Sequence, residues 1–461
     1  MNRVVNRARI MLILVLILAA GTLLFVGEYF LNAEDWVMGE GSPHVYSDSH
    51  TGTGLITDRD GILLLDTTSG RTYSANEILR TSIIHWLGDR QGNISTPLLS
   101  YYAKQIAGFD VINGVYSYGD TTGQMTLTLS AKVQMAALEA MGDYKGTVAV
   151  YNYKTGELLC AVSTPAYDPD NVPDIAGDTT GAWNGAYLNR FLKSTYTPGS
   201  IFKIVTAAAA LETIPDIQQQ TFTCTGEIVY NAEAGDKVTC MDVHGTLTFE
   251  EAFMRSCNCA FAQIADQLGG EILERYAEQF GITQSVTFDG ITTAAGSIEA
   301  AGEADVLVAW SAIGQNKDLI NPCRYLTLVG AIASGGSGVE PYVVSYISGD
   351  SWNAYSAEAV FTGRLMSSET AKVLQRLMRN NVENYYGEEY FHGMTVCAKS
   401  GTAEVGGDQK PNAMFTGFVT DEEYPLAFIV AVEDGGYGRQ VCIPILSQVL
   451  EACKTLLDAE S

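Results

Sequence analysis

The residues Tyr196-Thr197-Pro198-Gly199-Ser200-Ile201-Phe202-Lys203 run on through Ile204-Val205-Thr206 into four alanines, Ala207 to Ala210. The alanine-rich run predicts a helix, and Pro198-Gly199 predicts the turn leading into it. Ser200 then stands at or next to the helix N-terminus, with Lys203 three residues on and on the same face. A serine so placed has free backbone N–H groups and the positive end of the helix dipole to favour a developing alkoxide or oxyanion. An amine one turn away can take its proton, provided that amine is neutral. Taken alone, Ser-x-x-Lys is weak evidence and reads as a helix-capping serine followed by a surface lysine.

Downstream, Phe249 to Gly269 predicts two helical pieces broken at Ser256-Cys257-Asn258. A Ser-x-Asn there either points a hydroxyl and an amide into a cleft or simply caps the second piece. Met394 to Ala398 predicts a strand running into Lys399-Ser400-Gly401-Thr402-Ala403-Glu404, and residues 413–420 and 426–433 predict two more. Upstream, residues 147–151 and 158–162 predict a hairpin around Lys154-Thr155-Gly156-Glu157. This earlier Lys-Thr-Gly sits among polar neighbours and reads as turn chemistry. Five strands joined mostly as hairpins predict a mostly antiparallel sheet flanked by helices, an α/β chain of the α+β type. Pro444 is expected to open a last helix that lies on the sheet through Ile445, Leu446, Val449, Leu450, Cys453, Leu456 and Leu457.

Residues 10–26 carry no charge, just long enough to span a bilayer. Arg3, Arg7 and Arg9 precede them, and Glu28, Glu34 and Asp35 follow. The positive-inside rule puts residues 1–9 in the cytoplasm, an anchor over 10–29 and everything after it outside. A cleaved signal usually has a shorter core, and Ala19-Ala20-Gly21 lies within the apolar run, so an uncleaved anchor is expected. Residues 30–142 read as a pedestal. In it, Gly54 to Leu64 makes two short strands around Asp60-Gly61, Met125 to Leu129 makes another, and Ser130 caps a helix that runs to Met141 and ends at Gly142. Residues 143–461 are left as the catalytic domain.

The 461 residues are 47% hydrophobic with a net charge of −26, which fits a globular protein and excludes a nucleic-acid partner. His44, His50, His85, His244 and His392 are scattered. No Gly-x-Ser-x-Gly elbow, phosphate loop or His-Glu-x-x-His helix is present.

Ser-x-x-Lys, Ser-x-Asn and Lys-Ser-Gly-Thr in this order are far more specific together than apart. The chain resembles a class B penicillin-binding protein, a monofunctional peptidoglycan D,D-transpeptidase, over nearly its whole length. Leu55-Ile56-Thr57-Asp58-Arg59-Asp60-Gly61 is similar to the family's pedestal motif, although Thr53 stands where an arginine is usual. Ala166-Tyr167-Asp168-Pro169-Asp170, Ile313-Gly314-Gln315 and Phe415-Thr416-Gly417-Phe418 resemble its transpeptidase motifs.

The resemblance implies that Ser200 attacks a D-Ala–D-Ala carbonyl, with Lys203 as base, its pKa lowered by Lys399 and partial burial. Ser256 would relay the proton, Asn258 would hold the substrate backbone, and Lys399 would supply positive field. Ser400 and Thr402, with Gly401 between them, would bind the terminal carboxylate, and the N–H groups of Ser200 and Thr402 would form the oxyanion hole. Stem peptides are the implied substrates, β-lactams the implied inhibitors, and a polytopic membrane glycosyltransferase the implied partner. A D,D-carboxypeptidase or β-lactamase of the same fold, or a non-catalytic β-lactam-binding sensor or structural subunit, is the alternative. No cofactor is required.

Nine cysteines are an odd number, so at least one is unpaired. Cys224, Cys240, His244 and Cys257 bracket the Ser-x-Asn stretch. They admit a Cys224–Cys240 disulfide, a structural Cys3His zinc site or free thiols. Some members of the resembled family are thought to hold zinc at similar positions, usually with carboxylates among the ligands.

Overall fold

Strands β5 (Lys145–Asn152) and β6 (Leu158–Thr164) form the predicted hairpin. Asn152 Oδ1 holds the turn by accepting from the N–H groups of Lys154 and Thr155 at 2.9 and 3.1 Å. Along β5, Val148 and Val150 point to one side and Ala149 and Tyr151 to the other, and all four are fully buried. A strand with no wet face needs cover on both sides. The protein, a computed structural model described over residues 2–38, 54–68, 70–106, 108–110, 114–116, 123–348, 354–406 and 410–460, supplies it. The sheet runs β13-β14-β15-β5-β6, antiparallel throughout, with β13 (Val396–Ala403), β14 (Asn412–Val419) and β15 (Leu426–Glu433) where strands were expected.

Helices α2 (Ala131–Met141) and α7 (Gly438–Glu460) cover one face, burying Val133, Ala137, Leu446, Val449 and Leu450 against Val148, Val150, Phe415 and Val430. On the other face lies α3 (Lys203–Thr213), buried from Lys203 through Ala210. A helix apolar all round belongs in a core, and its alanines let neighbours approach closely. α4 (Phe249–Met254), α5 (Asn258–Leu268) and α6 (Ser368–Asn381) complete that side.

One expected helix start moves, and another keeps its place with a different capping group. Pro444 lies inside α7, which begins six residues earlier, where the Gly438 N–H donates to Thr402 Oγ1 at 3.2 Å. Pro444 has no N–H to bond one turn back, and its ring crowds the carbonyl there. Ser130 is the N-cap of α2, but its side chain makes no cap bond. Asp58 takes that role. Its Oδ2 accepts from Ala131 N at 2.9 Å, and its Oδ1 accepts from Asp60 N at 2.9 Å and Ile62 N at 2.8 Å. A carboxylate with three N–H donors outcompetes a hydroxyl.

A second sheet runs β12-β11-β4-β1-β2-β3. β1 (Leu55–Thr57), β2 (Leu63–Asp66), β3 (Thr72–Tyr73) and β4 (Gln124–Leu127) come from the expected pedestal, and β1 pairs with β4 in parallel. β11 (Val344–Ser348) and β12 (Tyr355–Ser356) come from the stretch expected to be catalytic. Asp168 joins the two parts as well, accepting from Arg80 Nε and Nη2 at 2.6 Å each, while the Tyr167 hydroxyl donates to Asp89 at 2.9 Å.

α1 (Asn2–Met38) contains the expected anchor; over Arg3–Ala33 its hydropathy reaches 2.9, long and apolar enough to cross a membrane. Between α3 and α4, β7 (Thr221–Cys224) pairs with β10 (Gly245–Thr248) and encloses the hairpin of β8 (Glu227–Asn231) and β9 (Asp236–Thr239).

Candidate active site

Ser200 lies in a single 3-10 turn, Gly199–Phe202, that feeds α3 at Lys203. The Tyr325 hydroxyl donates to the Ile201 carbonyl at 2.7 Å and pins this turn from behind. The Lys203 ammonium nitrogen is 3.1 Å from Ser200 Oγ, 3.1 Å from Ser256 Oγ, 2.6 Å from the Ser256 carbonyl and 2.7 Å from Asn258 Oδ1. Two of those four partners are hydroxyls, and two can only accept. A neutral amine has two N–H bonds and one lone pair. Given to the two carbonyl oxygens, its hydrogens leave the lone pair for a serine hydroxyl. Burial favours that state, drawing the Lys203 pKa down to about 8.

The break between α4 and α5 delivers the next two groups. Ser256 takes a left-handed φ of 52°, strained for a residue with a side chain, and so turns both its carbonyl and its hydroxyl toward Lys203. Asn258 is anchored from its other end, where Nδ2 donates to the Thr239 carbonyl at 2.9 Å. That leaves one N–H and one lone pair of the amide for a ligand. The cap of α5 is Cys257, whose Sγ accepts from Ala260 N at 3.4 Å.

β13 brings the third motif. Lys399 Nζ donates to Ser256 Oγ and to the Ser400 carbonyl, both at 3.0 Å. Its pKa falls well below the ordinary lysine value, through burial first and the charge of Lys203 second. Burial of Lys203 is likewise complete rather than partial, and it is the leading cause of the shift there. One hydroxyl, that of Ser256, thus bridges two amines. Gly401 passes so close to the Ser200 turn that a Cβ would stand 2.7 Å from the Pro198 carbonyl oxygen.

The structure therefore joins Ser200, Lys203, Ser256, Asn258 and Lys399 in one hydrogen-bonded chain, with Ser400, Gly401 and Thr402 continuing along β13. Lys154 stays at its hairpin tip. Sequence reasoning missed Tyr386, whose hydroxyl accepts from Ser400 N at 2.9 Å and lies 3.0 Å from Ser400 Oγ. It stands in an irregular turn after α6, and nothing local marks it. Ile313-Gly314-Gln315 was visible as a motif but not in its role. Gly314 accepts from Gly199 N at 2.8 Å, at φ +76° and with room for no side chain, and the Gln315 amide, turned to the orientation its neighbours require, bonds both backbone groups of Glu404 at 3.2 Å.

Next to this chain, one ligand atom from each of Cys224, Cys240, His244 and Cys257 lies within 4.8 Å of the other three. The Sγ atoms of Cys240 and Cys257 are 3.9 Å apart, too far for a disulfide. Cys224 and Cys240 remain thiols, not the disulfide that the sequence also allowed.

A family model described as the penicillin binding protein transpeptidase domain matches residues 146–451. This chain belongs to that family. Among curated proteins it is similar to the peptidoglycan D,D-transpeptidase PbpA of Mycobacterium tuberculosis, 28% identical over 365 residues that cover 72% of each chain. It is also similar to the stage V sporulation protein D of Bacillus subtilis, at 28% identity over 71% of this chain and 52% of that one. Among solved structures, the penicillin G acyl-enzyme complex of penicillin-binding protein A from M. tuberculosis superposes with a TM-score of 0.74 at 25% identity, covering 88% of this chain and all of the other. The D,D-transpeptidase domain from Eggerthella lenta shares the fold, with a TM-score of 0.71 at 23% identity over 88% and 99% of the two chains.

Proposed function

We propose that this protein is a serine-type peptidoglycan D,D-transpeptidase inhibited by β-lactams. The observation that carries the reading is the buried Lys203 amine, one hydrogen bond from Ser200 and one from a second serine that Lys399 also holds. Membership of the family and kinship with named D,D-transpeptidases support it.

Ser200 Oγ attacks the carbonyl of the penultimate D-alanine of a stem peptide while its proton passes to Lys203. As the C–N bond breaks, that proton moves through Ser256 to the departing D-alanine. An amine from a neighbouring stem peptide then attacks the ester, gives up its proton along the same route and restores Ser200. The charge that develops on the carbonyl oxygen is met by the N–H groups of Ser200 and Thr402. Asn258 holds the substrate backbone. Lys399, Ser400 and Thr402 receive the terminal carboxylate, with Gly401 keeping β13 close enough to reach it. β13 is an edge strand, so an extended peptide can lie along it.

α1 anchors the chain, with residues 1–9 cytoplasmic and the catalytic part outside. A polytopic membrane glycosyltransferase that touches the anchor and pedestal supplies the glycan strands. Failure of any such protein to co-purify after mild crosslinking would count heavily against this partner.

Fluorescent penicillin labelling of the intact protein and of Ser200→Ala tests the activity. A long-lived adduct that Ser200→Ala abolishes is expected, followed by transfer of a stem-peptide acyl group to an added amine. Rapid turnover of the adduct by water would point instead to a β-lactamase, and no adduct on folded protein would point to a structural role.

A further inference from the structure

After β6 the chain runs from Pro165 to Asn189 with neither helix nor strand. A connection longer than about 12–15 residues without structure of its own is ordinarily functional. Its first part, at Asp168, ties the two parts of the molecule together. The second part, Ile175 to Leu188, has no role in the proposed chemistry. Together with Asn93 and Ser95 of the pedestal it lines an open cavity of about 400 Å³, the size of a small-ligand pocket.

This part of the loop is held in place. Lys145 Nζ donates to the Gly181 carbonyl. Buried Arg190 donates through Nη1 to the Gly185 carbonyl at 2.8 Å and through Nη2 to that of Asn184 at 3.0 Å. His85 Nε2 donates to the Ala186 carbonyl at 2.9 Å. Asp178 closes the turn, with Oδ1 accepting from the N–H and hydroxyl of Thr180 at 2.8 and 2.7 Å and Oδ2 from Trp183 N at 2.8 Å. A site whose backbone is set in advance pays little ordering entropy on binding.

The lining selects the chemistry of the ligand. Trp183, Tyr187 and Ile175 are half-buried and apolar. Among the described residues Asp178 is the one charged group on the wall, and its oxygens are already taken by the donors of its own turn. In a chain of net charge −26, a wall without free charge favours a neutral ligand. Among the described residues, the Asn184 amide, the Ser95 hydroxyl and the Trp183 indole N–H have no protein partner. Aromatic rings beside unpaired amide, hydroxyl and N–H groups suit a molecule with apolar C–H faces and a rim of hydroxyls, which is a sugar.

We propose that this cavity binds a neutral sugar ring of the glycan strand whose stem peptide is delivered to Ser200. The cavity is joined to the nucleophile's own framework. Arg190, which holds Asn184 and Gly185, also donates to Glu433 Oε1 at 2.8 Å. That oxygen accepts from the Tyr196 hydroxyl at 3.4 Å, at the head of the stretch that leads to Ser200. The assignment of the sugar to a glycan strand rests on the transpeptidase reading, and the sugar pocket does not.

The full chain, purified in a detergent without a sugar headgroup, is titrated by calorimetry with the β-1,4-linked tetramer of N-acetylglucosamine. Saturable binding at one site per chain is expected. Trp183→Ala should weaken it at least about tenfold through loss of an apolar platform, and Trp183→Phe, which keeps a ring, should retain most of the affinity. Asn184→Ala alters an exposed side chain and should weaken binding about 2- to 10-fold. No saturable binding by the unaltered chain at up to about 10 mM probe overturns the site. Equal binding by the unaltered chain and Asn184→Ala, with Trp183→Ala also equal or unfolded, overturns its placement. The α-1,4-linked glucose tetramer should bind more weakly, and equal binding overturns the assignment to the glycan strand. Penicillin labelling is run on the same preparation. Sugar binding without an adduct defeats the Ser200 reading and leaves the pocket standing, whereas an adduct without sugar binding defeats the pocket alone.

Discussion

At Lys203 the chemistry depends on one proton. Burial holds its pKa down to about 8, so below that pH the amine is charged and its lone pair is lost. Acylation of Ser200 is therefore expected to rise about tenfold per pH unit up to roughly pH 8 and then level off, read as the penicillin-labelling rate against pH. Replacing the amine by an amide, Lys203→Gln, should slow labelling by about 100- to 10,000-fold while the protein stays folded. Tyr386 acts at one remove. Tyr386→Phe deletes both contacts to Ser400, the proposed carboxylate binder, and leaves the half-buried N–H and hydroxyl of Ser400 short of a partner. A loss of about 1–2 kcal/mol is expected, seen as roughly tenfold weaker acylation efficiency with little change in melting temperature. The three motifs announced Lys203 in the sequence. Tyr386 stayed hidden, because the hydrogen bonds that give it a role come from a strand that begins ten residues later.

Among the elements, two helix ends show what a chain order can and cannot say. The span of α2 was readable to the residue, yet its cap comes from Asp58, more than seventy positions away. Asp58→Ala strips acceptors from three N–H groups at once and should cost about 2–4 kcal/mol, measured as a lower denaturant midpoint. Asp58→Asn should cost less, since one oxygen survives. α7 was expected from Pro444, but the apolar stripe alone could not show that Thr402 would satisfy the helix start at Gly438. Its core contacts are indispensable. Leu446→Ala is expected to destabilise by about 2–5 kcal/mol, and truncation before Gly438 should abolish the cooperative melt, because each buried side chain contributes about 1.5–3 kcal/mol against a total of only 5–15.

Across the whole molecule, the catalytic part and the pedestal are built into each other. β11 and β12 extend the pedestal's sheet, α2 packs on the catalytic sheet, and the Arg80–Asp168 pair ties the two. A chain cut between residues 142 and 143 should therefore give a C-terminal fragment that aggregates, because β11 loses β4 and exposes an unpaired edge; size-exclusion chromatography of the fragment checks this. The sequence by itself determined the long apolar helix near the N-terminus, the five strands, the order of the three motifs and the identity of the groups they carry. These are local properties: a run of apolar residues, an alternation, a turn, a spacing. Only the tertiary structure decided that Lys203 is buried enough to release its proton, that Ser256 bridges two amines, and that Asp58 rather than Ser130 caps α2. It also decided that three cysteines and a histidine from separate elements converge. Each of these depends on distances between residues far apart in the chain, and those are fixed when the two sheets and their helices close around a common core.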